Sequence, residues 1–103
     1  MTADNILKYL KSNTDTLRKY QVKKIGLFGS YSRGMQSSKS DVDFLVEYLP
    51  GHKSLDNLIF LIDSLEGGLN KNVEVITPES ISNSFYEQIR HDLKYVQIDF
   101  TLQ

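Results

Sequence analysis

Residues 25–47 read IGLFGSYSRGMQSSKSDVDFLVE. Two apolar runs, Ile25 to Phe28 and Val42 to Val46, flank a glycine turn, a polar loop and two aspartates one residue apart, and both runs predict strands. Successive strand side chains point to opposite faces, so Asp41 and Asp43 share one face while Val42, Phe44 and Val46 share the other, with the carboxylates about 6.5 Å apart along the backbone. Aspartate is depleted in strands, and two like charges on one face repel unless something positive lies between them. A divalent cation is the economical explanation, and oxygen-only ligands point to Mg²⁺ or Mn²⁺ rather than Zn²⁺.

Upstream, Gly29-Ser30 follows the first run and opens a short helical turn, Tyr31 to Gly34. Glycine lets backbone N–H groups approach an anion, the serine adds a donor, and a helix N-terminus favours negative charge. These features predict a phosphate seat. It is not a P-loop, since G-x-x-x-x-G-K-[ST] is absent, and the glycines lack the spacing of the dinucleotide fingerprint. Arg33, one turn after Ser30, is either a phosphate contact or half of a structural ion pair.

Gly-Ser, ten residues, then Asp-x-Asp resembles the nucleotidyltransferase superfamily of DNA polymerase beta. It resembles most its smallest branch, the minimal nucleotidyltransferase (MNT) domains encoded beside HEPN-domain toxins. Leu27-Phe28, Arg33-Gly34, Ser40, Phe44-Leu45-Val46 and Val73-Glu74-Val75-Ile76-Thr77-Pro78 also follow the family's run, so the resemblance covers nearly the whole chain. It implies that Asp41 and Asp43 hold two Mg²⁺ ions on a nucleoside triphosphate, with Gly29, Ser30 and Arg33 at the phosphates. Glu74 stands where the family usually has a third aspartate. By the same resemblance it is the third metal and catalytic carboxylate, and the extra methylene is a departure from the family. The implied reaction transfers a nucleoside monophosphate, AMP if ATP is the donor, to a tyrosine of a helical HEPN toxin, making the chain an antitoxin. The alternative is a catalytically decayed antitoxin that neutralises its partner by contact alone.

Composition sets the bounds. A chain of 103 residues is expected to form one domain, 1–103, burying roughly 65% of its unfolded surface. A net charge of −1 leaves no electrostatic footprint for nucleic acid as a direct substrate. No apolar run reaches membrane-span length and no signal pattern opens the chain, so a cytoplasmic protein is the expectation. The absence of cysteine excludes disulfides and thiolate chemistry. A fold this small has little room for an acceptor site, so the acceptor is expected on another protein.

The remaining elements follow from periodicity and caps. Thr2 caps a helix carrying Ile6, Leu7 and Leu10, and a second helical piece carries Leu17 and ends near Tyr20. Lys23 and Lys24 are expected to face solvent. Ser54 caps a helix with Leu55, Leu58, Ile59, Ile62 and Leu65 on its core stripe and Gly67-Gly68 as its stop. Phe60 falls off that stripe, as either a partner surface or a scattered exposed residue. Val73 to Ile76 predicts a strand, and Glu74 joins the acidic cluster if that strand lies beside Asp41 and Asp43. A Ser84/Glu87 capping box predicts a last helix through Leu93 and Val96, with a short strand within Tyr95 to Phe100. His52 and His91 lack ligand spacing and are read as surface residues. The expected fold is α/β, a small mixed twisted sheet of three or four strands of polymerase-beta-like nucleotidyltransferase type. Its helices pack mainly on one face, and the acidic cluster is exposed on the other.

Overall fold

In the computed structural model, which describes residues 1–101, the two strands of the opening stretch form the centre of a four-stranded mixed sheet of order β3-β2-β1-β4. The elements run α1 (Ala3–Ser12), α2 (Thr14–Lys19), β1 (Val22–Phe28), α3 (Gly29–Arg33), β2 (Val42–Tyr48), α4 (Leu55–Leu69), β3 (Val73–Ile76), α5 (Asn83–Ile89) and β4 (Lys94–Gln97). Strand β1 pairs antiparallel with both β2 and β4, and β2 pairs parallel with β3. A parallel pair needs a long crossover, and α4 supplies it. The last two residues of the expected domain, 102 and 103, lie outside the described residues.

Alternation along β2 sorts the core. Val42, Phe44 and Val46 are fully buried with Ile25 and Leu27 of β1, against Ile6 and Leu10 of α1, Leu17 of α2, and Leu61, Leu65 and Leu69 of α4. The opposite face carries Asp43, and farther along it Phe28 and Leu45 form a smaller cluster with Ile89 of α5. Helices therefore lie mainly on one face as expected, with α5 covering part of the other. Thr2 caps α1 reciprocally: its Oγ1 accepts from the Asn5 N–H at 3.2 Å and its own N–H donates to Asn5 Oδ1 at 3.0 Å.

Three expectations change. Periodicity puts Leu55 and Ile59 in the core stripe of α4, but they are 71% and 45% exposed; the buried row is Leu61, Leu65 and Leu69. This helix is apolar on most sides, so periodicity alone offers two stripes, and the docking angle chooses between them. Gly67-Gly68 does not stop α4, which runs on to Leu69 and ends at Asn70 in the left-handed conformation, φ 54°. Gly68 sits where the hydroxyl end of Tyr9 from α1 crosses, and a Cβ there would overlap that ring. The last helix is capped by Ser82 rather than Ser84: the Ser82 Oγ accepts from the Phe85 N–H at 3.1 Å, while Glu87 pairs with Arg90 at 3.0 Å. It ends at Ile89, leaving Leu93 just before β4 and Val96 on it.

Smaller features follow the same pattern. Lys23 is exposed, but Lys24 places its ammonium 3.9 Å from the centre of the Tyr95 ring, a cation–π contact. Phe60 is half exposed and lies beside Tyr20. His52 and His91 are both exposed, His91 in the turn after α5 rather than on a helix. Among the described residues no helix is long and apolar enough to cross a membrane.

Candidate active site

Register brings three of the predicted residues, Gly29, Asp43 and Glu74, together. Phe28 pairs with Asp43 across β1 and β2, and Asp43 pairs with Glu74 across β2 and β3. Residues paired across neighbouring strands share a face, so Glu74 and Asp43 point the same way, and the turn that begins at Gly29 lies on the other side of Asp43. Gly29 has φ +79°, and a Cβ built there would overlap Asp43 Oδ2. The glycine is thus required twice, for a backbone conformation that side chains resist and for the close approach of a carboxylate.

Helix α3 has no side-chain N-cap, so nothing from the chain satisfies its first N–H groups by capping. Its far end is tied down. Arg33 Nη1 donates to Asp92 Oδ2 at 2.8 Å, Lys94 Nζ donates to the Ser32 carbonyl at 3.0 Å, and the Ser32 hydroxyl donates to the Asp92 carbonyl. Of the two readings of Arg33, the ion pair is therefore formed, with Asp92 in the turn before β4 as the partner. Its charge still acts on Asp43, whose carboxyl it pulls downward in pKa. Asp92 and Lys94 have no signal in the linear sequence, because they meet α3 from about 60 residues away only through the β1–β4 pairing.

The electrostatics centre on Asp43. Its pKa is pushed up to about 6, first by burial, then by the charges of Glu74 and Asp41 and by a hydrogen bond with Glu74, against the opposing pull of Arg33. Asp41 is exposed at the entry to β2. Among the described residues no three carboxylate or histidine side chains converge as a ready-made metal cluster: Asp43 and Glu74 form a close pair, with Asp41 acting on Asp43 through its charge. The donor set nonetheless fits a hard cation. A partly buried carboxylate crowded by two others, as Asp43 is by Glu74 and Asp41, is what a bound divalent ion would relieve.

This crowding has a measurable sign. The folded pKa of Asp43, about 6, lies above its ordinary 3.8, so folding favours the protonated form. That contribution is fully present below about pH 4 and is lost as pH rises through about 6. Without metal, wild-type stability should therefore fall relative to Asp43→Asn across that window, with the melting temperatures of the two diverging. Thermal melts in chelator between pH 4 and pH 7 check this; parallel curves would mean that the pair is not crowded.

Comparisons with known proteins bear on the family and the fold. Residues 5–98 match the family model of the nucleotidyltransferase domain. A Methanocaldococcus jannaschii chain named as a protein adenylyltransferase is 40% identical over 98 residues, covering 92% of this chain and 98% of that one. Among solved structures, a minimal nucleotidyltransferase shares the fold with a TM-score of 0.78 at 22% identity, covering 91% of this chain and 95% of that chain. A chain from a crystal structure of a toxin-antitoxin with AMP-PNP gives a TM-score of 0.64 at 27% identity, covering 100% of this chain and 77% of that chain.

Proposed function

The chain belongs to the nucleotidyltransferase domain family, and we propose that within it this protein transfers AMP from ATP to a tyrosine hydroxyl of a separate helical HEPN-type toxin, acting as its antitoxin. The observation that carries this reading is the contact of the Asp43 carboxylate with the Gly29 turn on one side and its pairing with Glu74 on the other. On this reading a phosphate seat, a hard-cation ligand and a proton acceptor stand in one row. The protein adenylyltransferase name of the 40% identical relative supports a protein acceptor. The toxin-antitoxin chain crystallised with AMP-PNP supports the donor class.

In this mechanism Gly29 and Ser30 steady the β- and γ-phosphates with backbone N–H groups and a hydroxyl. Asp41, Asp43 and Glu74 would hold two Mg²⁺ ions, with Mn²⁺ as a substitute, which supply charge neutralisation on the triphosphate. The acceptor oxygen forms a bond to the α-phosphorus as the bridging bond to the β-phosphate breaks, and pyrophosphate leaves. The hydroxyl proton goes to Glu74, the carboxylate at the β3 end of the row, as general base.

Glu74 provides the test. In an active site adapted to the longer side chain, Glu74→Gln abolishes transfer, and Glu74→Asp, one bond shorter, lowers it by about a hundredfold, the usual effect of a 1 Å misplacement. Intact-mass measurement of the partner co-expressed with each variant reads the result as one nucleoside monophosphate per transfer. The contact-only reading draws on one specific observation, the lack of a preformed three-carboxylate cluster among the described residues. It predicts an unmodified partner with the wild type, and under it Glu74→Asp would create activity where the wild type has none.

A further inference from the structure

The three contacts that join α3 to the turn before β4 are of two kinds. The Ser32 hydroxyl donates to the Asp92 carbonyl, and Lys94 Nζ donates to the Ser32 carbonyl at 3.0 Å. Both end on backbone acceptors, and Ser32 is buried, so these two hold the helix itself. The third, from Arg33 Nη1 to Asp92 Oδ2 at 2.8 Å, links two side chains and fixes no backbone.

The Asp92 carboxylate is therefore redundant as a tie, yet it is the more buried member of its pair. Its side chain is 18% exposed and that of Arg33 is 48% exposed. An ion pair with one half-solvated member adds little to stability. What it does fix is direction: a long side chain that would otherwise sample many rotamers is held at one nitrogen, and the remaining donors of the planar fork are left for a second anion.

The helix says where that fork lies. Ser30 and Arg33 are three residues apart on α3 and so share a face, and Ser30 belongs to the phosphate seat of the transfer reading, on which this inference rests. The seat closes the row at the end of β1, with Asp43 beside it and Glu74 beyond on β3. A cation on α3 thus stands at the end of the row away from the general base, where pyrophosphate leaves, and its charge reaches Asp43. Asp4 and Lys94 line the same open recess as Arg33, one of each sign, so what Asp92 supplies is orientation rather than net charge.

We propose that Asp92 is a positioning residue for the nucleotide, holding the Arg33 guanidinium against the β- and γ-phosphates. The turn before β4 would then set how tightly the triphosphate is bound, without touching it.

A double-mutant cycle on the full chain tests this, with the affinity for a non-hydrolysable ATP analogue and Mg²⁺ read by calorimetry. Arg33→Ala should weaken binding roughly tenfold or more, as the loss of a charge-assisted hydrogen bond allows. Asp92→Ala, which keeps the backbone carbonyl that Ser32 bonds, should weaken it by a similar factor. Asp92→Asn, which keeps an oxygen acceptor for Nη1, should retain most of the affinity. In the Arg33→Ala background Asp92→Ala should have no further effect, because Asp92 acts through Arg33. Equal affinity of wild type and Asp92→Ala overturns the proposal, and so do losses that simply add. Tighter binding by Asp92→Ala also overturns it, since Asp92 would then compete with the phosphates for Arg33. A wild type that binds no analogue removes the proposal together with the nucleotide reading beneath it, whereas a wild type that binds but modifies no partner counts against transfer alone.

Discussion

Converting both Asp41 and Asp43 to asparagine should reduce nucleotidyl transfer by about a thousandfold or more, since preorganised electrostatic groups at a phosphoryl centre each contribute about a hundredfold or more. The same change should stabilise the metal-free protein. Asparagine keeps the shape but removes the charge whose burial, and then whose repulsion by Glu74 and Asp41, holds the Asp43 carboxyl at about 6, and Asp41 is exposed, so no buried partner is lost. An inactive protein with a raised melting temperature is the expected signature of a site that trades stability for cation binding. Calorimetry with ATP, with and without Mg²⁺, adds the decisive comparison. Wild type should bind ATP only with the cation; equal metal-dependent affinity in the double variant would remove these two carboxylates from the metal site.

Gly29→Ala should have the second largest effect, on stability and transfer together. A side chain at φ +79° costs about 1–2 kcal/mol from backbone sterics alone. The Cβ also overlaps Asp43 Oδ2, so the carboxylate must swing out of its place beside Glu74. For a domain of this size a loss of about 2 kcal/mol lowers the melting temperature by roughly 8–16 °C, and displacing the carboxylate by about 1 Å lowers the transfer rate by about a hundredfold. Gly34→Ala is the internal comparison. Gly34 has φ +71° but nothing within 4 Å of its Cβ position, so it carries the strain without the contact and should melt early while retaining transfer. If the two variants lose transfer to the same degree, the Gly29–Asp43 contact has no role in the chemistry.

Much of this site is legible in the linear chain because it is local. The period of two along a strand puts Asp43 on the face opposite Val42, Phe44 and Val46 whatever the strand pairs with, whereas Asp41 lies just before β2 begins and is not held to that face; a glycine-serine turn between two apolar runs announces a backbone that must approach something closely. Thr2 as a cap and the apolar alternation of Val42, Phe44 and Val46 belong to the same class, since a hydrogen bond three residues long or a two-residue repeat needs no tertiary partner. The match of residues 5–98 to the nucleotidyltransferase domain bears out the family read from that stretch.

Other features depend on how distant segments meet. The helix Leu55–Leu69 is apolar on most sides, so its buried row, Leu61, Leu65 and Leu69, emerges only when it docks across the sheet and Tyr9 closes over Gly68. Glu74 reaches Asp43 because the α4 crossover sets β3 parallel to β2 in one register; a slip of one residue would turn it to the opposite face. Arg33 finds Asp92 across 59 positions of sequence, where the turn before β4 meets α3. Chain alternation and turn chemistry act over a few residues and are written in order. Register, docking angle and the meeting of charges from distant loops are set by burial of the whole core at once, and no short stretch carries them.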